Sequence, residues 1–268
     1  MQIQEKLENR KSLGGFGQRL IIDAGSACLA GLSVTPLVAM IDKAVVEAAA
    51  GQASWASSIR ASAKMLALRP HRIMMSSPFT LMLLLYGGTY FSANAFDTGC
   101  SFVQEASTSS TGHDLEKFAF VSTINLALSM HKDVQFAKLF GNGATRALPL
   151  ACYAPFVARD SLTIFASFNL PPMIAPQLSE SLDSIAPRSW IAQLVAPVMV
   201  QPFGTMLHLY GLDLYNRNWH VPFKHRARKI YTDLPSVSLL RMIRVIPGFG
   251  FGGVINTSMR AHLLEKLR

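Results

Sequence analysis

Two long segments without a single charged side chain restrict this chain more than any other feature. They are residues 73–96, IMMSSPFTLMLLLYGGTYFSANAF, and residues 190–212, WIAQLVAPVMVQPFGTMLHLYGL. Each is as long as the ~20 mostly apolar residues a helix needs to cross a hydrocarbon core. A water-soluble fold must cover its surface with charge, and little is available. Only 15% of the 268 residues are charged and half are hydrophobic, whereas an ordinary soluble domain carries about 25% charged residues. Lipid around the middle of the molecule removes that need, provided the backbone polar groups are satisfied within helices. The expected class is an all-α membrane protein.

Four further stretches fit the same reading. Residues 19–49 form a long Ala-rich helical pattern with Asp42 and Lys43 late in it. Residues 118–131, 148–178 and 245–264 complete the set. Several contain Pro or Gly, which membrane helices tolerate better than soluble ones. Six transmembrane helices in a single domain, residues 1–268, are therefore expected. The connecting segments support the count. Residues 50–76, 132–148 and 213–244 together hold 14 basic and 3 acidic side chains, whereas residues 97–117 and 178–190 hold 2 basic and 6 acidic. Alternation of this kind is how positive charge orients a membrane protein, and a soluble helical protein has no reason to show it. Both termini then lie on the acidic-loop side.

The chain also reads as three pseudo-repeats, approximately 18–110, 111–186 and 187–268. Each odd helix is followed by a basic segment of short amphipathic pattern and then by an even helix. The basic segments contain SSIRASAKMLAL, VQFAKLFGNGATRALPL and ARKIYTDLPSVSLLRMIRVIPG. Repeats are common in membrane transporters.

Three helix pairs, a short linker helix on the positive side of each, and termini on the other side resemble the mitochondrial carrier family. Residues 230–255, IYTDLPSVSLLRMIRVIPGFGFGGVI, are similar to its linker helix and Arg-x-x-Pro start of the last helix. Residues 24–31, AGSACLAG, resemble the small-residue face of its first helix. The resemblance implies short matrix-side linker helices, a multi-pass location in the mitochondrial inner membrane (or the outer one), and transport of a small anionic metabolite. It also implies Pro-kinked odd helices, here at Pro36 and Pro202, and ion pairs closing the gates. Those charges depart from the family pattern. Val38 and Ile41 stand where the first repeat needs them, with Asp42 and Lys43 one step late, and Gly204 and Leu207 follow Pro202. The second repeat has no Pro, only SMHKDVQ around Lys132 and Asp133. On the other side Phe96-Asp97 leads to Cys100, Phe168-Asn169 runs into Pro171-Pro172, and the sixth helix offers Asn256 with Arg260. Most gate pairs are thus expected to be missing.

Arg159 and Asp160 stand side by side in an apolar stretch, CYAPFVARDSLTIF. Neighbours on a helix point about 100° apart, so the two are not expected to face the same way. A charge at membrane depth faces a cavity or a partner. The resemblance puts the central substrate contacts near residues 157–160, which makes Arg159, Asp160 and, in the last helix, Arg244 candidate substrate-binding residues around a bound anion. The alternative reading holds Arg159 in a structural pair with a carboxylate such as Asp160 or Asp23.

The run KHRARK, residues 224–229, reads either as a topology signal or as a lipid site in which Lys224, Arg226, Arg228 and Lys229 meet anionic headgroups, cardiolipin among them. Its place between two spans argues against nucleic acid. GFGFGG, residues 248–253, lacks the strand and the Gly-Lys-Ser/Thr of a phosphate loop and reads as close helix packing. The three cysteines are too scattered for a metal site or a disulfide framework, and the N-terminal residues contain no apolar signal core. The seven histidines stand at no metal spacing with a carboxylate, and no nucleophile–His–acid set can be assembled. Neither an enzyme, a cofactor nor a metal is expected. Two functions remain open. One is a divergent carrier for a small, anionic metabolite, consistent with the net charge of +9. The other is a carrier-shaped protein without transport, acting as an accessory subunit of a larger inner-membrane complex or in membrane shaping.

Overall fold

The computed structural model describes residues 2–104, 113–142, 148–168, 170–184, 187–217 and 221–266. No strand occurs among the described residues, and the elements are α1 (Gln2–Ala50), α2 (Trp55–Leu68), α3 (Pro70–Met74), α4 (Ser77–Gln104), α5 (His113–Phe140), α6 (Leu150–Phe168), α7 (Leu170–Ile174), α8 (Arg188–Met199), α9 (Gln201–Asn216), α10 (Phe223–Val245) and α11 (Gly252–Glu265). Two 3₁₀ turns, Ala175–Gln177 and Glu180–Ser184, lie between α7 and α8, and a π-helical stretch, Ile246–Phe251, joins α10 to α11. The segments Gly15–Ala50 and Phe223–Glu265 are long and apolar enough to cross a membrane.

Local chemistry sets the breaks. Helix α1 ends in a Schellman motif: Gly51 takes the left-handed conformation (φ +72°), its N–H bonds to Ala48 O, and Gln52 N–H bonds to Glu47 O. The Ser54 hydroxyl then accepts from Ser57 N–H and starts α2. Pro70 stands first in α3, where a missing N–H costs nothing. Asn169, within the Phe168-Asn169 motif, lies outside the described residues, as does Arg146 of the second basic segment.

The two prolines expected to kink matching helices occupy different positions. Pro36 lies well inside α1, a continuous helix, whereas Pro202 is the second residue of α9. With no N–H at Pro202, the helix ends at Met199 and restarts at Gln201, a break at Val200 rather than a kink. The expected linker helices differ as well. The first basic segment forms a separate helix, α2, but the third is the first half of α10 and runs on through the π stretch into α11. No glycine interrupts residues 223–247, and α10 continues through Pro235, which lies inside it. The second segment begins as the end of α5, and residues 143–147 lie outside the described residues.

The helix ends sort by charge. Asn142, just past α5, donates its backbone N–H to Asn216 Oδ1 at the end of α9 (2.9 Å) and its side-chain amide to Ala50 O at the end of α1 (2.7 Å). At the opposite end Arg260 of α11 meets Asp23 of α1 (2.6 Å), and Lys117 of α5 meets Asp97 of α4 (2.7 Å). The ends of α1, α5 and α9 thus gather where the basic segments lie. Helix α1 packs against α4, α5, α9, α10 and α11, so it forms the spine of the bundle. Its partner α4 approaches at Gly31 and Gly87, where a Cβ on Gly31 would meet the Gly87 backbone at 3.2 Å. Val34, Val38, Met82, Phe136, Phe156 and Tyr215 fill the core between them and α6 and α9.

Candidate functional site

An unbroken chain of ion pairs crosses the middle of the bundle. Arg244 of α10 donates to both oxygens of Asp42 on α1 (2.5 and 2.6 Å). Lys132 of α5 bridges Asp42 Oδ2 (2.9 Å) and its neighbour Asp133 (2.5 Å). Arg159 of α6 closes on Asp133 Oδ2 (2.6 Å) and on Asp160 Oδ1 through Nη2 (2.5 Å) and Nε (2.8 Å). The remaining guanidinium nitrogen meets His208 Nδ1 of α9 at 2.7 Å, and Nη2 also reaches the Ser129 hydroxyl at 3.2 Å. A guanidinium has only donors, so His208 Nδ1 is the acceptor and the ring is neutral. Arg159 is only 2% exposed. Phe156 lies under its guanidinium, and Gly211 of α9 leaves the room that ring needs, since a Cβ there would sit 2.5 Å from it. Arg159 and Asp160 therefore do bond, although they are helix neighbours. The long Arg side chain curls back along α6 to reach an adjacent carboxylate, which a count of helical angles alone does not allow for.

Beside this chain lies a cavity of about 90 Å³ between α4, α5, α6, α9 and α10. At liquid packing that is room for about three water molecules. Tyr86, Asn125, Thr163 and Gln201 line it together with Asp160, Arg241 and Arg244. Two of these carry buried atoms without partners: Asp160 Oδ2 and Arg241 Nε. Arg241 is 3% exposed and makes no hydrogen bond or ion pair among the described residues. Buried polar groups are nearly always satisfied, and an unpaired buried charge is costly. The cavity is thus lined by a carboxylate and a guanidinium, Asp160 and Arg241, each with a buried polar atom lacking a partner.

Polar contacts close the bundle at both ends of this cavity. Toward the acidic end, Tyr86, Tyr90, Asn94 and Thr98 recur every fourth residue along α4, while Gly248, Gly252, Asn256 and Arg260 recur at the same interval along the π stretch and α11. The two rows meet rung by rung. A Cβ at Gly248 would meet the Tyr86 ring at 2.8 Å. Tyr90 Oη donates to Gly248 O (2.5 Å). The Asn94 and Asn256 amides exchange two hydrogen bonds of 2.9 Å, and Arg260 donates to Thr98 Oγ1 (3.0 Å) and to the fully buried Asp23 (2.6 Å). The π stretch sits where this row begins, and π-bulges are frequent at functional sites. Toward the basic end, Asp213 of α9 pairs with Arg226 of α10 and with Arg217 (3.2 Å).

Of the residues singled out by sequence, Asp160 and Arg244 line the cavity, and Arg159 stands behind Asp160 in the ion-pair chain. Pro36 and Pro202 do not border it. Within KHRARK, Lys224 and Arg228 are exposed, Lys229 pairs with Asp233 (2.7 Å), and Arg226 points inward to Asp213. Charges near the gate-motif positions do find partners: Asp42, one step late in the first repeat, joins Lys132 and Arg244, and Arg260 of the sixth helix joins Asp23. Sequence reading passed over Arg241 and His208. The signal for Arg241 was its spacing: it and Arg244 are two cations three apart, hence on one face of a helix, in LLRMIRVI.

A family model described as probable citrulline exporter matches residues 26–264. No curated protein matches the chain. The match spans nearly the whole sequence, so the chain belongs to that family. This corrects the resemblance to the mitochondrial carrier family, which rested on overall architecture and on short stretches without the family's gate motifs. A mitochondrial location was implied by that resemblance alone and is not shown. A membrane protein with a transport role stands, on the family match and the apolar helices.

Proposed function

We propose that this member of the probable citrulline exporter family moves citrulline out across a membrane, one molecule at a time, through the central cavity. The observation that carries the reading is that one cavity is lined by two residues of opposite charge, Asp160 and Arg241, each with a buried polar atom that has no partner (Oδ2 and Nε). Citrulline has an α-ammonium, an α-carboxylate and an uncharged ureido side chain. The ammonium takes the Asp160 oxygen, and the carboxylate takes Arg241. Both are charge-assisted hydrogen bonds, the strong kind. The substrate is thus a zwitterion rather than an anion.

In this reading α1, α4, α5, α6, α8 with α9, and α10 with α11 make six crossings. The basic segments lie on the cytoplasmic face, as orientation by positive charge requires. The Tyr–Asn–Thr row against the glycine-bearing row forms one gate, and the Asp213–Arg226 end the other. Lys224 and Arg228, exposed at the basic end, contact anionic lipid. The test is uptake of labelled citrulline by liposomes containing the purified protein and preloaded with unlabelled citrulline. Exchange above that of protein-free liposomes supports the reading. No exchange from a protein that melts cooperatively refutes it and favours a role without transport.

A further inference from the structure

We infer that the site accepts one cationic group and no more, so it separates amino acids with neutral side chains from those with cationic ones. The inference rests on the reading of the cavity as an amino-acid site. It follows from a count of carboxylate oxygens. Three buried carboxylates face the cluster: Asp42, Asp133 and Asp160. Both oxygens of Asp42 are held by Arg244, with Lys132 on Oδ2. Asp133 gives Oδ1 to Lys132 and Oδ2 to Arg159. Asp160 Oδ1 takes two donors from Arg159. Only Asp160 Oδ2 is vacant, and the α-ammonium of any amino acid claims it.

The charge balance points the same way. Lys132, Arg159, Arg241 and Arg244 are four cations against three carboxylates, with His208 neutral. The empty site is therefore positive by one charge. A zwitterionic head group leaves that excess unchanged, and so does a ureido or carboxamide side chain. The N–H groups of such a side chain also have acceptors to meet. Asn125 Nδ2 is committed to Thr89 Oγ1 and Gln201 Nε2 to Pro197 O, which leaves both amide oxygens uncommitted. A guanidinium or second ammonium brings another cation to a site of like sign with no carboxylate left. Stranding a charge in such a place corresponds to discrimination of at least about a hundredfold.

The experiment is competition against labelled citrulline uptake in liposomes containing the full chain, with unlabelled citrulline, arginine and ornithine as competitors. Citrulline should compete, and arginine and ornithine should fail even at about a hundred times its half-inhibiting concentration. Asn125→Asp adds a second carboxylate with almost no change of shape, and Thr89 can meet one of its oxygens by turning its hydroxyl away from Leu85 O. Arginine should then compete. If the Asn125→Asp protein does not melt cooperatively, Gln201→Glu puts a carboxylate on the facing helix and serves the same purpose. Arginine competing as well as citrulline with the unaltered protein overturns the charge filter but leaves the amino-acid site intact. Unaltered selectivity in both variants also overturns the filter. No citrulline uptake by the unaltered protein overturns the site reading and the filter with it.

Discussion

Arg159 and Arg241 are both buried arginines beside one cavity, and they should respond to replacement in opposite ways. Arg159 holds Asp133, Asp160, Ser129 and His208 together. Arg159→Ala leaves Asp160 without its only partner, leaves Asp133 with Lys132 alone, and empties the volume of a side chain that is 2% exposed. Removing one partner of a buried ion pair costs about 3–5 kcal/mol. For a chain of this size that lowers the melting temperature by roughly 10 °C. Arg241 has no partner to strand. Arg241→Gln removes a buried positive charge from a site that already has one in excess, so melting should stay the same or rise by a few degrees, while citrulline binding is weakened. This is the trade of stability for function expected at a binding site. The assay is thermal unfolding of the purified proteins in detergent, followed by intrinsic fluorescence, with citrulline exchange measured on the same preparations. Equal melting of Arg159→Ala and the unaltered protein would refute the ion-pair account. So would an Arg241→Gln protein destabilised as much as Arg159→Ala.

The other expectations concern the two ends and the topology. A Cβ at Gly252 would sit 2.1 Å from Tyr90 Oη, so Gly252→Ala should destabilise by about 1–3 kcal/mol; adding Tyr90→Phe, which removes the clashing oxygen, should restore part of the loss of melting temperature. Arg226→Gln should lower the melting temperature because Asp213 is buried and loses its shorter contact, leaving only Arg217, whereas Lys224→Gln with Arg228→Gln should leave melting unchanged and weaken binding to vesicles of anionic lipid. Cysteines placed at residues 60 and 225 should react with a membrane-impermeant label from one face, and a cysteine at residue 183 from the other; labelling of all three from the same face would contradict six crossings.

Much of the frame was legible because its causes are local. Residues 19–49 and 118–131 each fall within one helix, α1 and α5, the other four apolar stretches are helical over most of their described length but cross element boundaries, and the break after α1 is written in Gly51 and Ser54. The sign of each connecting segment could be read directly, and the contacts at Asn142 and Arg260 gather the helix ends in the corresponding way. Pairing was not legible. Asp42 finds its partners 90 and 202 residues away, at Lys132 and Arg244, so its position one step off a family motif says nothing about whether it is paired. The motif comparison registers the charges absent from Val38 and Ile41 but not the ion pairs that Asp42 makes. The Arg159–Asp160 bond escaped the angular rule because an Arg side chain has enough rotatable bonds to cross 100° of helix surface. Arg241 was passed over because its importance lies in having no partner, which only the assembled bundle reveals.

The central claim is that one cavity reads the two charges of an amino-acid head with Asp160 and Arg241. Binding of three ligands, measured by calorimetry on the purified protein and on Asp160→Asn and Arg241→Gln, tests it most directly: citrulline, its analogue without the amino group, and its analogue without the carboxylate. The account predicts that the unaltered protein binds citrulline more tightly than either analogue. Asp160→Asn should lose its preference for citrulline over the analogue lacking the amino group, and Arg241→Gln its preference over the analogue lacking the carboxylate. Equal losses toward both analogues in both variants, or no preference in the unaltered protein, would contradict it.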